Sequence, residues 1–170
     1  LTWDCVDFEH NTVKINKSWN YKSKKQRDNF GGLKNKSSYR TVPAPAVLMN
    51  LLHRLHKEQA ELFMKQGYRD SDNLVFRNFY HRIVDNNSIN DTLKRLCTAA
   101  GTDHPITSQG LRHTHGGVLI YAGIDIVSVS KRLGHADLQT TMSTYIHELD
   151  EMKARDDKAI VQVLDNLEVL

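Results

Sequence analysis

Between Thr107 and Tyr145 the chain is punctuated so closely that it can form only short helices joined by turns. Thr107 or Ser108 can cap a helix running to about Ala122 and stopping at Gly123. Asp125 can cap a second, Ile126 to Leu133, stopped by Gly134, and Asp137 a third that carries Tyr145. Such side-chain oxygens accept the unpaired N–H groups of a first helical turn, and glycine adopts the left-handed backbone that ends a helix. Three short helices joined by tight turns focus their termini on one region. Arg112, His135 and Tyr145 would lie near those termini or face inward from them.

The chain before this stretch changes period. Leu1–Phe8 and Thr12–Trp19 alternate apolar and polar residues as strands do, with a turn at Glu9–Asn11. A polar insertion from Asn20 to Lys36 leads to a third strand, Ser37–Pro43. Ala46–Gln66 has a helical repeat at Val47, Leu48, Leu51, Leu52, Leu55 and Leu62 and ends at Gly67. Leu74–Phe76 is a short strand or a buried connection. A further helix covers Asp91–Ala100, capped by Ser88 or Asn90, and an amphipathic one covers roughly Glu151 to Leu167. The expected fold is α+β and mainly α, a small three-stranded antiparallel sheet packed on a helical bundle. One domain, 1–170, is expected: sheet with a basic hairpin over 1–43, helical core over 44–149, and a C-terminal tail over 150–170.

The net charge of +3 does not by itself announce a polyanion, but its distribution does. Nine Lys or Arg residues lie between Lys14 and Arg40 against the single acid Asp28, whereas Glu148–Leu170 holds seven acids against three basic residues. A basic front suits a phosphate backbone. Cys5 and Cys97 lack metal or redox spacing, which suits reduced thiols inside a cell. No apolar run reaches membrane-spanning length. His113 and His115 stand two apart, on different faces of a helix, and no carboxylate or cysteine completes a metal set.

These residue types suit phosphoryl transfer. The reaction needs a nucleophile, cations on the nonbridging oxygens and an acid for the leaving oxygen. Arginine grips phosphate with two parallel N–H donors, and a tyrosine hydroxyl becomes a nucleophile when a neighbour draws off its proton. Taken singly, each residue has a plainer reading: Tyr145 as a packed aromatic, Gly134-His135 as a helix stop, Arg112 as an ion-pair partner of Asp125.

Taken together they resemble a family. Leu111-Arg112-His113-Thr114, Ala122-Gly123-Ile124-Asp125, Arg132-Leu133-Gly134-His135, Thr140-Thr141 and Tyr145 follow one another as in the tyrosine recombinases, or phage integrases. Lys34–Pro43 is similar to that family's strand-turn-strand lysine motif, and Leu1–Phe8 to the strand after its first arginine box. The resemblance runs from Leu1 to about His147 and implies the catalytic-domain fold of that family. By it, Tyr145 attacks the scissile phosphate to form a 3′-phosphotyrosyl bond, Arg112 is the second of two phosphate-gripping arginines, and His135 hydrogen-bonds the same phosphate. Lys34, with Lys36 as competitor, protonates the leaving 5′-oxygen from a mobile hairpin tip, and no cofactor or metal is required. Lys22, Lys24, Lys25, Lys36, Arg40 and Arg132 are the expected DNA contacts. The resemblance further implies double-stranded DNA as partner, a tetramer on DNA joined through the C-terminal segment, with packing of that segment on its own domain as the alternative, and a cytoplasmic, nucleoid-associated site of action in a bacterial cell.

Two departures qualify it. Gln109 stands where the family has histidine, three residues before the second arginine; an amide can hydrogen-bond phosphate but is no general base. The tyrosine's proton would then leave through His135 or water, with His113 packed in the bundle or supporting the tyrosine helix. The first arginine falls before Leu1, so these 170 residues alone are expected to have little strand-transfer activity. A DNA-binding module that keeps the fold without catalysis is the rival that Gln109 favours; a type IB topoisomerase fits the Leu-Gly-His box and the compact helices less well.

Overall fold

The computed structural model describes residues 1–20, 30–146, 156–157, 160–162 and 164–165. Its chain divides into two compact units, Leu1–Ile89 and Asn90–Leu170. It is mainly helical with a small antiparallel sheet.

In the first unit a 3-10 turn, Trp3–Cys5, leads into β1 (Val6–Asp7), followed by β2 (Thr12–Ile15), β3 (Ser18–Trp19), β4 (Phe30–Gly31) and β5 (Arg40–Pro43). β1, β2 and β5 form a three-stranded antiparallel sheet in that order, with Val13 opposite both Val6 and Val42. The expected first strand is mostly replaced by the 3-10 turn. Thr2 and Trp3 are drawn away to pair with a later segment: Trp3 N–H donates to the Asn73 carbonyl at 2.9 Å and Thr2 bridges Leu74. The buried residues therefore fall in pairs, Thr2 with Trp3 and Cys5 with Val6, at the three-residue repeat of a 3-10 turn. The second expected strand breaks at Asn16–Lys17. Its distal part, β3, pairs with β4 as a separate two-stranded ribbon, where the alternation predicts one continuous strand of the main sheet.

Helix α1 (Ala46–Gln66) keeps its expected bounds and ends at Gly67. Its Met49 and Leu52 bury against Trp3, Val6 and Val75, and Trp3 Nε1 donates to Gln59 Oε1 at 2.8 Å. Asp70 organises the next loop by accepting the N–H groups of Asp72, Asn73 and Leu74 and pairing with the buried Arg77 guanidinium. That arrangement fixes Leu74 and Val75 as a buried connection.

Helix α2 (Asn86–Ala99) begins earlier than expected because Asp85, not Ser88 or Asn90, accepts a first-turn N–H, from Ser88 at 2.7 Å. The second unit holds α3 (Ser108–Tyr121), α4 (Ile126–Leu133) and α5 (Leu138–Thr144). Ile120, Val129, Leu133 and Tyr145 form its core, with Leu119 packed against it. Most of the expected helix over 151–167 lies outside the described residues; those of it that are described are helical.

Candidate active site

The caps read from the sequence set the positions of the site. Thr107 Oγ1 accepts from Gly110 N–H at 3.0 Å, Asp125 Oδ1 from Ser128 N–H at 2.9 Å, and Asp137 Oδ1 from Thr140 N–H at 2.7 Å. Gly134, with φ of 70°, turns the chain sharply at the end of α4 and delivers His135 into the turn before α5. Asp125 is thus a cap, not an ion-pair partner of Arg112.

Tyr145 sits at the C-terminal end of α5, only 2% exposed. Its ring packs among Ile120, Val129 and Leu133, and its hydroxyl lies against Gly116 in α3. A methyl group added at Gly116 would overlap the hydroxyl and Cζ of Tyr145 and press on Leu133 Cδ1 at 3.1 Å. Glycine here is a requirement of close approach. The adjacent His115-Gly116-Gly117 could have signalled it, since two glycines inside a helix are costly unless something packs against the backbone.

Arg112, half-buried one turn before Gly116, donates through Nη2 to the Leu133 carbonyl at the end of α4. The remaining edge of its guanidinium keeps N–H donors suited to an oxyanion. His135 is oriented by Thr141, whose Oγ1 lies 2.7 Å from Nδ1 and which is itself fully buried. Thr141 is a functional residue that the sequence does not signal: its partner lies six residues away across a turn, a contact no local pattern shows. Gln109 Nε2 lies 3.2 Å from His113 Nε2, and the His113 and Tyr145 rings are 6.4 Å apart between centroids. Arg132 Nε donates to His115 Nε2 at 2.9 Å, tying α4 to α3. Burial, then the Arg132 charge, lowers the His115 pKa and keeps it a neutral acceptor. An open groove of about 590 Å³ runs beside Tyr145, lined by His113, Thr114, Gly117, Val118, Tyr121 and Thr144.

Arg112, His135, Tyr145 and Gln109 thus all lie in the second unit. Lys34 and Lys36 belong to the first, both exposed on the turn between β4 and β5. Lys34 is therefore not at the tip of the ribbon but on its return, in a turn closed by Leu33 N–H donating to Tyr39 Oη at 2.9 Å. Arg40 follows in β5, with Nη1 donating to the Ser38 carbonyl at 2.8 Å. Lys22, Lys24 and Lys25 lie outside the described residues. Among the described residues no helix is long and apolar enough to cross a membrane, and no three His, Cys, Asp or Glu groups cluster for a metal.

Two stability effects follow from this geometry. Gly116→Ala overpacks the Tyr145 slot and is expected to cost about 1 to 3 kcal/mol, seen as a lower melting temperature. In a Tyr145→Ala background the sign should reverse, because the slot is empty and alanine is the better helix former by about 1 kcal/mol. Equal losses in both backgrounds would contradict the contact. Asp137 has its pKa lowered from 3.8, first by the Thr140 N–H and then by the Thr140 hydroxyl. A depressed carboxylate pKa stabilises the fold above the unfolded value, and that contribution disappears as pH falls through the folded one. Asp137→Ala should therefore melt below wild type at pH 7, with the gap closing well below pH 3.8; a gap unchanged in acid would refute the charged cap.

Comparison with known proteins places this geometry. The model of the Phage integrase family matches residues 1–152. Transposase A from transposon Tn554 of Staphylococcus aureus is 45% identical over 64 residues, 38% of this chain and 17% of that protein. The ICEBs1 integrase of Bacillus subtilis is 31% identical over 114 residues, 67% of this chain and 31% of that protein. Among solved structures, the Tn1549 transposon integrase in complex with transposon right end DNA superposes with a TM-score of 0.68 at 17% identity, over 91% of this chain and 52% of that one. XerA recombinase gives 0.65 at 21% identity, over 92% of this chain and 50% of that one. The chain thus spans well under half the length of these curated relatives and about half of the solved chains. With a family match over nearly its whole length, the chain belongs to the phage integrase family.

Proposed function

We propose that this chain is the catalytic part of a site-specific DNA recombinase that integrates or excises a phage or mobile element. It cuts and rejoins strands through a 3′-phosphotyrosyl ester on Tyr145. The observation that carries the reading is the Tyr145 hydroxyl lying against Gly116 in α3, one turn after Arg112, whose guanidinium is fastened to the end of α4.

The chemistry divides among these residues. Arg112, held to α4 through the Leu133 carbonyl, presents its remaining N–H donors to the nonbridging oxygens. His135, oriented by Thr141, donates to the same phosphate. Lys34, or Lys36 beside it, protonates the 5′-oxygen as it leaves. The phosphotyrosyl ester keeps the bond energy for religation, so the reading needs no cofactor. The Tyr145 ring packs in the core while the residue also borders the open groove, which offers the scissile phosphate its approach.

Lys22, Lys24, Lys25, Lys36, Arg40 and Arg132 are proposed phosphate contacts on double-stranded DNA. The apolar groove beside Tyr145 supports self-association into a tetramer, as a seat for the C-terminal segment of a neighbouring copy. The reaction is assigned to the bacterial cytoplasm, at the nucleoid.

The reading is tested with the full-length protein and a pool of nicked random-sequence duplexes, with chelator present. Recovery of a DNA–protein adduct that survives denaturant supports it. Specific binding without an adduct would favour the rival that Gln109 suggests, a DNA-binding module of the same fold.

A further inference from the structure

Gln109 leaves the reaction without the base that the family's histidine would supply, and the geometry around Gly116 points to another. In an α-helix each Cα–Cβ bond tilts toward the N-terminus, so the space beside Gly116 faces Arg112 and His113, one turn earlier. The Tyr145 hydroxyl occupies that space. Residues three apart have Cβ positions about 5 to 6 Å from each other, within reach of an imidazole. His113 is exposed, borders the groove beside Tyr145, and holds its ring 6.4 Å from the tyrosine ring at an interplanar angle of 60°. The other described histidines of the site face other tasks. His115 accepts from Arg132, and His135 is turned by its Nδ1 toward Thr141.

We propose that His113 is the proton acceptor for Tyr145, and that Gln109 is a positioning residue that orients the imidazole; this rests on the strand-transfer reading above. Gln109 contacts His113 Nε2 at 3.2 Å. The oxygen and nitrogen of an amide are interchangeable in shape. With Oε1 turned to the ring, Nε2–H donates to Gln109 and Nδ1 carries the lone pair that serves as base. In the forward step the Tyr145 O–H proton passes to Nδ1, the phenolic oxygen bonds to phosphorus, and the P–O5′ bond breaks with the 5′-oxygen taking a proton from the hairpin lysine. The Gln109 carbonyl then stabilises the imidazolium. In religation the 5′-hydroxyl gives its proton back to the hairpin lysine as its oxygen bonds to phosphorus, the bond from phosphorus to the Tyr145 oxygen breaks, and His113 returns its proton to that oxygen. The amide that cannot itself be a base thereby sets the tautomer of one that can.

The test varies the acidity of the nucleophile. Full-length protein carrying either tyrosine or a fluorinated tyrosine that ionises near neutral pH at position 145 is combined with His113 or His113→Gln. The rate of adduct formation is measured on the nicked duplex recovered by covalent capture. With ordinary tyrosine, His113→Gln should slow the rate about 10²-fold or more; with the fluorinated residue, which needs no base, the loss should shrink below about tenfold. An equal loss with both tyrosines would mean a structural role and overturn the proposal, as would no loss with ordinary tyrosine. Absence of any adduct with the unmodified protein would instead overturn the strand-transfer reading beneath it. His113 is exposed, so the variant should melt as wild type does; were it not to fold, His113→Asn is read the same way.

Discussion

With phenylalanine at position 145, the full-length protein is expected to bind its DNA as wild type does and to form no covalent adduct. Tyr145 has two roles that this substitution separates. Its ring fills the core with Ile120, Val129 and Leu133, and phenylalanine keeps that packing. Its hydroxyl, against Gly116, is the proposed nucleophile, and phenylalanine removes only that. Loss of one hydroxyl should cost no more than about 0.5 to 1.5 kcal/mol, so melting stays close to wild type while the reaction disappears. Denaturing electrophoresis and a binding titration measure the two sides. An adduct persisting in Tyr145→Phe would assign the nucleophile elsewhere.

Arg112→Ala is expected to reduce adduct formation about 10²- to 10³-fold, the scale for deleting one preorganised donor to a transition-state oxyanion. It also removes the bond to the Leu133 carbonyl that joins α3 to α4, a loss of about 1 to 3 kcal/mol. Arg112→Lys separates these effects. A lysine keeps the charge but cannot hold the carbonyl and two phosphate oxygens together, so most of the rate should remain lost. A lysine variant reacting at the wild-type rate would show that charge alone is needed.

Much of the second unit was legible because its signals are local. Asp125 with Gly134 bounds α4 at the expected residues, and Asp137 places Tyr145 two turns into the chain that follows. Caps and glycine stops act on residues three or four apart, which is why a linear reading finds them. The slot at Gly116 and the Thr141–His135 pair are contacts between helices, fixed by packing that no local spacing encodes. In the first unit the alternation over Leu1–Phe8 suggested one strand, yet pairing of Thr2 and Trp3 with Asn73 and Leu74 overrode it. Strand propensity is easily outweighed by tertiary pairing, whereas the 21-residue α1, with its own repeat and glycine stop, was not displaced. The hairpin lysine is the intermediate case. Its motif was visible, but its place on the return of the β3–β4 ribbon followed from the break at Asn16–Lys17, which alternation alone hides.

The most direct measurement is the chemical identity of the protein–DNA bond. The adduct formed by full-length protein on the nicked duplex would be digested with protease and nuclease and the linked peptide sequenced by mass spectrometry. The expected product is a nucleotide joined by its 3′-phosphate to the Tyr145 phenolic oxygen, with a free 5′-hydroxyl on the released strand. A link to any other residue, or a 5′-phosphotyrosyl bond, would contradict it.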